Sequence, residues 1–148
     1  MTSYAWAHIA HLLCALVFVG GVLFEALILS ALHRPEVGRE TRREAERAIA
    51  ARAVRVMPWV VGLLFASGLL LAHRYAEVLT TWPLASMAWQ LWLKILLAFS
   101  ILAHFVGAVY RMRRGTMTVG FSRYIHRAVL VQMLLIVVLA KAMFYWVW

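Results

Sequence analysis

The sequence predicts an all-α, integral membrane four-helix bundle with both termini periplasmic and a cytoplasmic helical connection between spans one and two. Three observations carry this. Of 148 residues, 65% are hydrophobic and only 14% charged, a balance outside that of soluble domains. Four apolar stretches, about residues 4–32, 57–73, 89–110 and 128–148, meet the roughly 20-residue requirement for crossing a bilayer. The arginines are segregated: Arg34, Arg39, Arg42, Arg43, Arg47, Arg52 and Arg55 lie between spans one and two, and Arg111, Arg113, Arg114, Arg123 and Arg127 flank the third connection. Outside these regions the only arginine is Arg74. Positive charge stays on the cytoplasmic side, so the expected setting is a bacterial inner membrane, with the N-terminus outside and residues 1–148 forming a single four-span domain.

The formal charge of +9 is therefore a matter of membrane orientation, and no nucleic-acid partner is expected. Cys14 is the only cysteine, which excludes an internal disulfide, a CxxC metal clip and CxxCH haem attachment. The first span has no basic segment ahead of it and carries histidines, so it reads as a retained helix and not as a cleaved signal.

Span one holds a polar stripe of His8, His11, Cys14, Glu25 and His33. At about 100° per residue, His11 to Glu25 turns about −40° and His11 to His33 about +40°. A bilayer tolerates such groups only where they face protein, cofactor or water. Cys14 is read as a small core residue. In the following connection, Thr41-Arg42-Arg43-Glu44 has the pattern of a capping box opening a helix that runs through Arg55 into span two, with a kink or restart at Pro58. Its mixed charges, Glu36, Glu40, Glu44 and Glu46 against arginines, suit a solvated face at the lipid headgroups.

The outer connection, about residues 74–88, contains Trp82-Pro83 and leads to Trp89 and Trp92, an interfacial tryptophan belt. Gln90, Leu97, Ser100, His104 and Arg111 share a face of span three, with Lys94 at its edge. The third connection, residues 112–122, has Gly115 and Gly120 as breakers. Span four places His126, Met133, Val137 and Lys141 on one side and Gln132 on the other, where it bonds a neighbouring backbone or meets a second copy in a homodimer.

Depth sorts the polar groups. If His33, Arg111 and His126 mark the inner boundary, a rise of about 1.5 Å per residue puts Glu25 about 12 Å and His104 about 10 Å inside, and His11 about 33 Å from His33. The outer cluster is His8, His11, His73, Lys94 and Lys141. The inner one is Glu25, His104, His126 and His33, although His33 and His126 also suit the headgroup level.

A b-type haem in a helical bundle needs histidine ligands, an apolar slot and cations for its propionates. His11 or His8 with His73 supplies an outer ligand pair, with Lys94, Lys141 or Arg74 as propionate partners; His104 with His126 supplies an inner one. Glu25 would relay a proton or orient His104. The alternative is a copper site built from His8, His11, His73 and His104, since histidine is the commonest ligand for copper or zinc; the methionines, however, show no MxxM pairing.

The run from His11-Leu12-Leu13 through Phe18-Val19-Gly20-Gly21 to His33, then residues 55–68, then Trp92-Leu93-Lys94 to His104, resembles the copper-resistance-protein-D domain. It is also similar to the related HemJ-type protoporphyrinogen oxidases. The first resemblance implies copper binding or transport at the inner membrane. The second implies a bound b-type haem and oxidation of a porphyrinogen or quinol, with His11 and Lys94 at matching positions and His104 near another.

Overall fold

The computed structural model describes residues 2–80 and 86–145, which are helices and short connections. Trp82-Pro83 and the last three residues of the fourth apolar stretch lie outside the described residues. Four helices, Tyr4–His33, Arg39–His73, Met87–Arg113 and Gly120–Ala142, are long and apolar enough to cross a membrane. Their large side chains point outward: Trp59 is 76% exposed, Leu16 69% and Leu96 67%. Leaving such surface in water costs about 25 cal/mol per Å², so the solvent that suits it is lipid. The protein is a helical membrane protein; a helix satisfies its backbone polar groups internally, as a bilayer requires.

The chain divides into two compact units, residues 1–69 and 70–148. In the first, α1 (Thr2–Leu23) is an uninterrupted apolar α-helix. Below it the winding changes. Phe24–Ile28 forms a π turn, in which the Leu29 amide donates to the Phe24 carbonyl five residues back. Leu29–His33 then tightens into a 3₁₀ turn, and the Arg34 amide donates to the Ala31 carbonyl at 3.2 Å. The Ser30 hydroxyl, bonded to the Leu27 carbonyl at 2.9 Å, competes for a backbone acceptor where the two geometries meet. Arg34 turns extended, with φ −69° and ψ 148°, as expected of a residue preceding proline, and Pro35 ends the span.

The second helix, α2 (Arg39–His73), opens earlier than the capping-box pattern predicts. The Arg42 amide bonds the Gly38 carbonyl at 3.1 Å, so Thr41 lies inside the first turn and does not cap it. Nor does the helix restart at Pro58, which sits within one continuous helix. At about 1.5 Å per residue α2 reaches about 52 Å, well beyond a hydrocarbon core of about 30 Å, so its arginine-rich first half extends outside the apolar layer.

In the second unit the outer connection contains a short helix, α3 (Ala76–Thr80), and the Trp92 indole donates to its Leu79 carbonyl at 3.2 Å. That bond satisfies one of the carbonyls a helix end leaves open. Then come α4 (Ser86–Arg113) and α5 (Val119–Tyr145). Gly115 ends α4 with φ +67°; its amide bonds the Met112 carbonyl at 3.1 Å and the Thr116 amide bonds the Arg111 carbonyl at 3.0 Å. This is the Schellman arrangement, which needs a left-handed residue. Thr118 caps α5: its hydroxyl accepts from the Phe121 amide at 3.3 Å. Gly120 is therefore not a breaker but part of the first turn, and α5 begins nine residues before the predicted Ala128. A stripe of Ile125, Val129 and Met133, spaced four residues apart, is the buried face of α5.

Candidate functional site: a histidine held between two helices

His11 leaves α1 toward α2. Its Nδ1 lies 3.1 Å from the Leu64 carbonyl oxygen and 3.2 Å from Ser67 Oγ. The carbonyl can only accept, so Nδ1 carries the proton and donates. Ser67 cannot reverse that role, because its hydroxyl hydrogen is directed to the Leu63 carbonyl at 2.7 Å. In the neutral ring, Nε2 then bears the lone pair. An N–H fixed on an oxygen in this way is how ligating histidines are oriented.

The ring packs closely on a glycine. A Cβ at Gly68 would stand 3.2 Å from His11 Cε1 and 3.5 Å from its Nδ1, tighter than ordinary packing at the first of these. Ser67, buried at 6% exposure, and Gly68 together form the cradle. Sequence reasoning missed Ser67. The available signal was a serine beside a glycine in the apolar run Leu63-Leu64-Phe65-Ala66-Ser67-Gly68-Leu69.

The same two helices touch at two further levels. A Cβ at Gly21 would meet Met57 Cε at 3.0 Å, and His33 Nε2 lies 3.6 Å from Glu46 Oε1. From His11 to Gly21 to His33, each advance along the first span is matched within a residue by the return from Gly68 to Met57 to Glu46. The helices therefore form an antiparallel hairpin in constant register. His33 belongs to its exposed end, where Arg42 also approaches Glu46 at 3.9 Å; this is a surface ion-pair position of the headgroup kind. His8 is exposed beside Tyr4, ring centroids 6.1 Å apart and edge-on, while Cys14 and Glu25 are half-buried.

In the second unit, His104 Nδ1 donates to the Ser100 carbonyl one turn back at 2.7 Å, and His126 Nδ1 donates to the Ser122 carbonyl at 2.8 Å. These bonds fix the same tautomer as in His11. The ring that packs on His104 from α5 is Tyr124, at 5.9 Å and tilted by 42°, a neighbour the sequence did not suggest. Lys94 is half-buried and Lys141 and His73 are exposed. One turn before Lys94, Gln90 is 5% exposed, and its buried side-chain oxygen has no hydrogen-bond donor among the described residues. Among the described residues no three His, Cys, Asp or Glu side chains converge in a way that would hold a metal ion. Comparison of the chain with protein-family models, with curated proteins and with solved structures gives no match.

Proposed function

We propose that this protein is a b-type haem-binding protein of the bacterial inner membrane, with both termini outside, that transfers electrons, as an oxidoreductase acting on a quinol or a porphyrinogen. The observation that carries the reading is the His11 tautomer. A neutral imidazole whose Nδ1–H is taken by the Leu64 carbonyl keeps its lone pair on Nε2, the nitrogen that would hold a haem iron. In the first unit His11 is the ligand; in the second, His104 is oriented for the same task by Ser100. Within the second unit, Lys94 is a half-buried cation suited to a propionate, and the side-chain oxygen of Gln90 one turn before it, without a donor among the described residues, would accept a hydrogen bond from a water or a protonated acid. His73, His126 and Lys141 complete the set of candidate ligands and propionate partners. Bound haem would supply one-electron chemistry at iron; the chain supplies ligand orientation, an apolar surround and, through Glu25 as relay, a place for a proton.

The test is an optical spectrum of the full chain, purified in detergent after expression with ample haem. A Soret band that changes in His11→Ala and His104→Ala supports the reading. Absence of the band overturns it, and an unchanged spectrum in both variants overturns the ligand choice. Copper bound tightly by haem-free protein and lost in His8→Ala/His11→Ala would instead establish a copper-binding protein.

A further inference from the structure

After Glu77 the sequence contains no acidic residue, yet residues 78–148 carry Lys94, Arg111, Arg113, Arg114, Arg123, Arg127 and Lys141. Two of these arginines find aromatic faces: Arg111 lies 4.1 Å over the Phe121 ring and Arg114 4.5 Å over Tyr110. Arg123 and Arg127, one turn apart on α5, have neither a carboxylate nor an aromatic partner among the described residues. Both are exposed and line an open depression of about 640 Å³ that continues through Ala128 and Val131 to Gln132.

The order of chemistry along this depression matches one kind of molecule. Two guanidinium groups stand where the apolar stretch begins, and the exposed Val131, Leu135 and Val138 continue the same side of the helix. Gln132 lies about 7.5 Å deeper than Arg127 at about 1.5 Å per residue, the level at which ester carbonyls follow a phosphate. A second copy of the chain suits the face poorly. Two copies related by an axis along the membrane normal would set their α5 helices parallel and bring Arg123 and Arg127 against their own counterparts.

We propose that the depression on α5 lined by Arg123, Arg127, Val131 and Gln132 seats an anionic phospholipid, its phosphate on the two arginines and an acyl chain along Val131, Leu135 and Val138. This holds whether or not the protein binds haem.

Native mass spectrometry of the full chain in detergent tests it, with phosphatidylglycerol and phosphatidylcholine of the same acyl chains offered separately. Phosphatidylglycerol should be retained about tenfold more strongly, the scale expected of one to two arginines at a membrane surface. Arg123→Gln/Arg127→Gln should abolish the preference; Arg123→Lys/Arg127→Lys should keep part of it. Arg113→Gln/Arg114→Gln, which removes the same charge outside the depression, should leave it intact. Equal loss in that control, equal retention of the two lipids, or displacement of lipid by millimolar inorganic phosphate would overturn the proposal. So would a lipid-free dimer that the Arg123/Arg127 glutamine pair strengthens.

Discussion

His11 and Leu64 are joined across two antiparallel helices by a hydrogen bond of 3.1 Å from an imidazole nitrogen to a backbone carbonyl oxygen. That oxygen also lies 3.1 Å from Ser67 Oγ, so imidazole and hydroxyl converge on one carbonyl of α2. The imidazole bond sets which ring nitrogen remains basic, and several consequences can be measured.

Replacing Ser67 by alanine removes one of the two oxygens near Nδ1 and leaves the other. The ring should keep its tautomer but lose angular definition. Loss of such a supporting contact lowers metal affinity by about 10- to 100-fold, and with Leu64 still in place the expected loss is about tenfold. With haem bound as proposed, its retention on dilution, read at the Soret band, checks this; full retention would show that Ser67 does not position the ring.

Two glycines on α2 make a matched pair. A Cβ at Gly68 meets the His11 ring at 3.2 Å, whereas one at Gly62 meets nothing within 4 Å. Gly68→Val should therefore displace the imidazole and shift the haem spectrum, with a cost of about 1–3 kcal/mol for overpacking. Gly62→Val should leave the spectrum unchanged. The comparison removes the helix-propensity term, which the two share.

Gly115 adopts φ +67° to close the Schellman turn between α4 and α5. Gly115→Ala should destabilise the protein by about 1–2 kcal/mol through left-handed strain, and Gly115→Asn by less. Thermal unfolding in detergent gives the order directly.

Trp92→Phe keeps an aromatic ring at the membrane surface and deletes the indole donor to Leu79. A cost of about 1 kcal/mol is expected, with faster amide exchange confined to α3. An equally large loss of haem would assign Trp92 a part in binding that the hydrogen bond alone does not explain.

Much of the architecture could be read from residue types. Apolar runs located the four membrane-crossing helices, and Gly115 marked the one turn it makes. The connection helix was legible in its charges, but its start was not: Thr41-Arg42-Arg43-Glu44 satisfies the capping pattern, while Gly38 supplies the first carbonyl three residues earlier. Hydrogen-bond partners between helices were beyond reach. Nothing in the vicinity of His11 names Ser67, because a pairing 56 residues distant depends on hairpin register. The stripe presupposes uniform winding, which holds through Leu23 and fails from Phe24 on, where Phe-Glu-Ala-Leu-Ile gives no Pro or Gly as warning.

That altered winding bears on which changes of length the first span can absorb. A turn closed five residues back contains one residue more than an α turn, and the 3₁₀ turn after it contains fewer, about three per turn. Surplus and deficit offset each other, and His33 still arrives opposite Glu46. A one-residue deletion within Phe24–Ile28 would convert the wide turn into an ordinary one and leave His11 on Ser67. The same deletion between His11 and Leu23, where the winding is regular, would turn His11 by about 100° away from Ser67. The region around Glu25 is thus where this helix can lose a residue and keep its histidine in place.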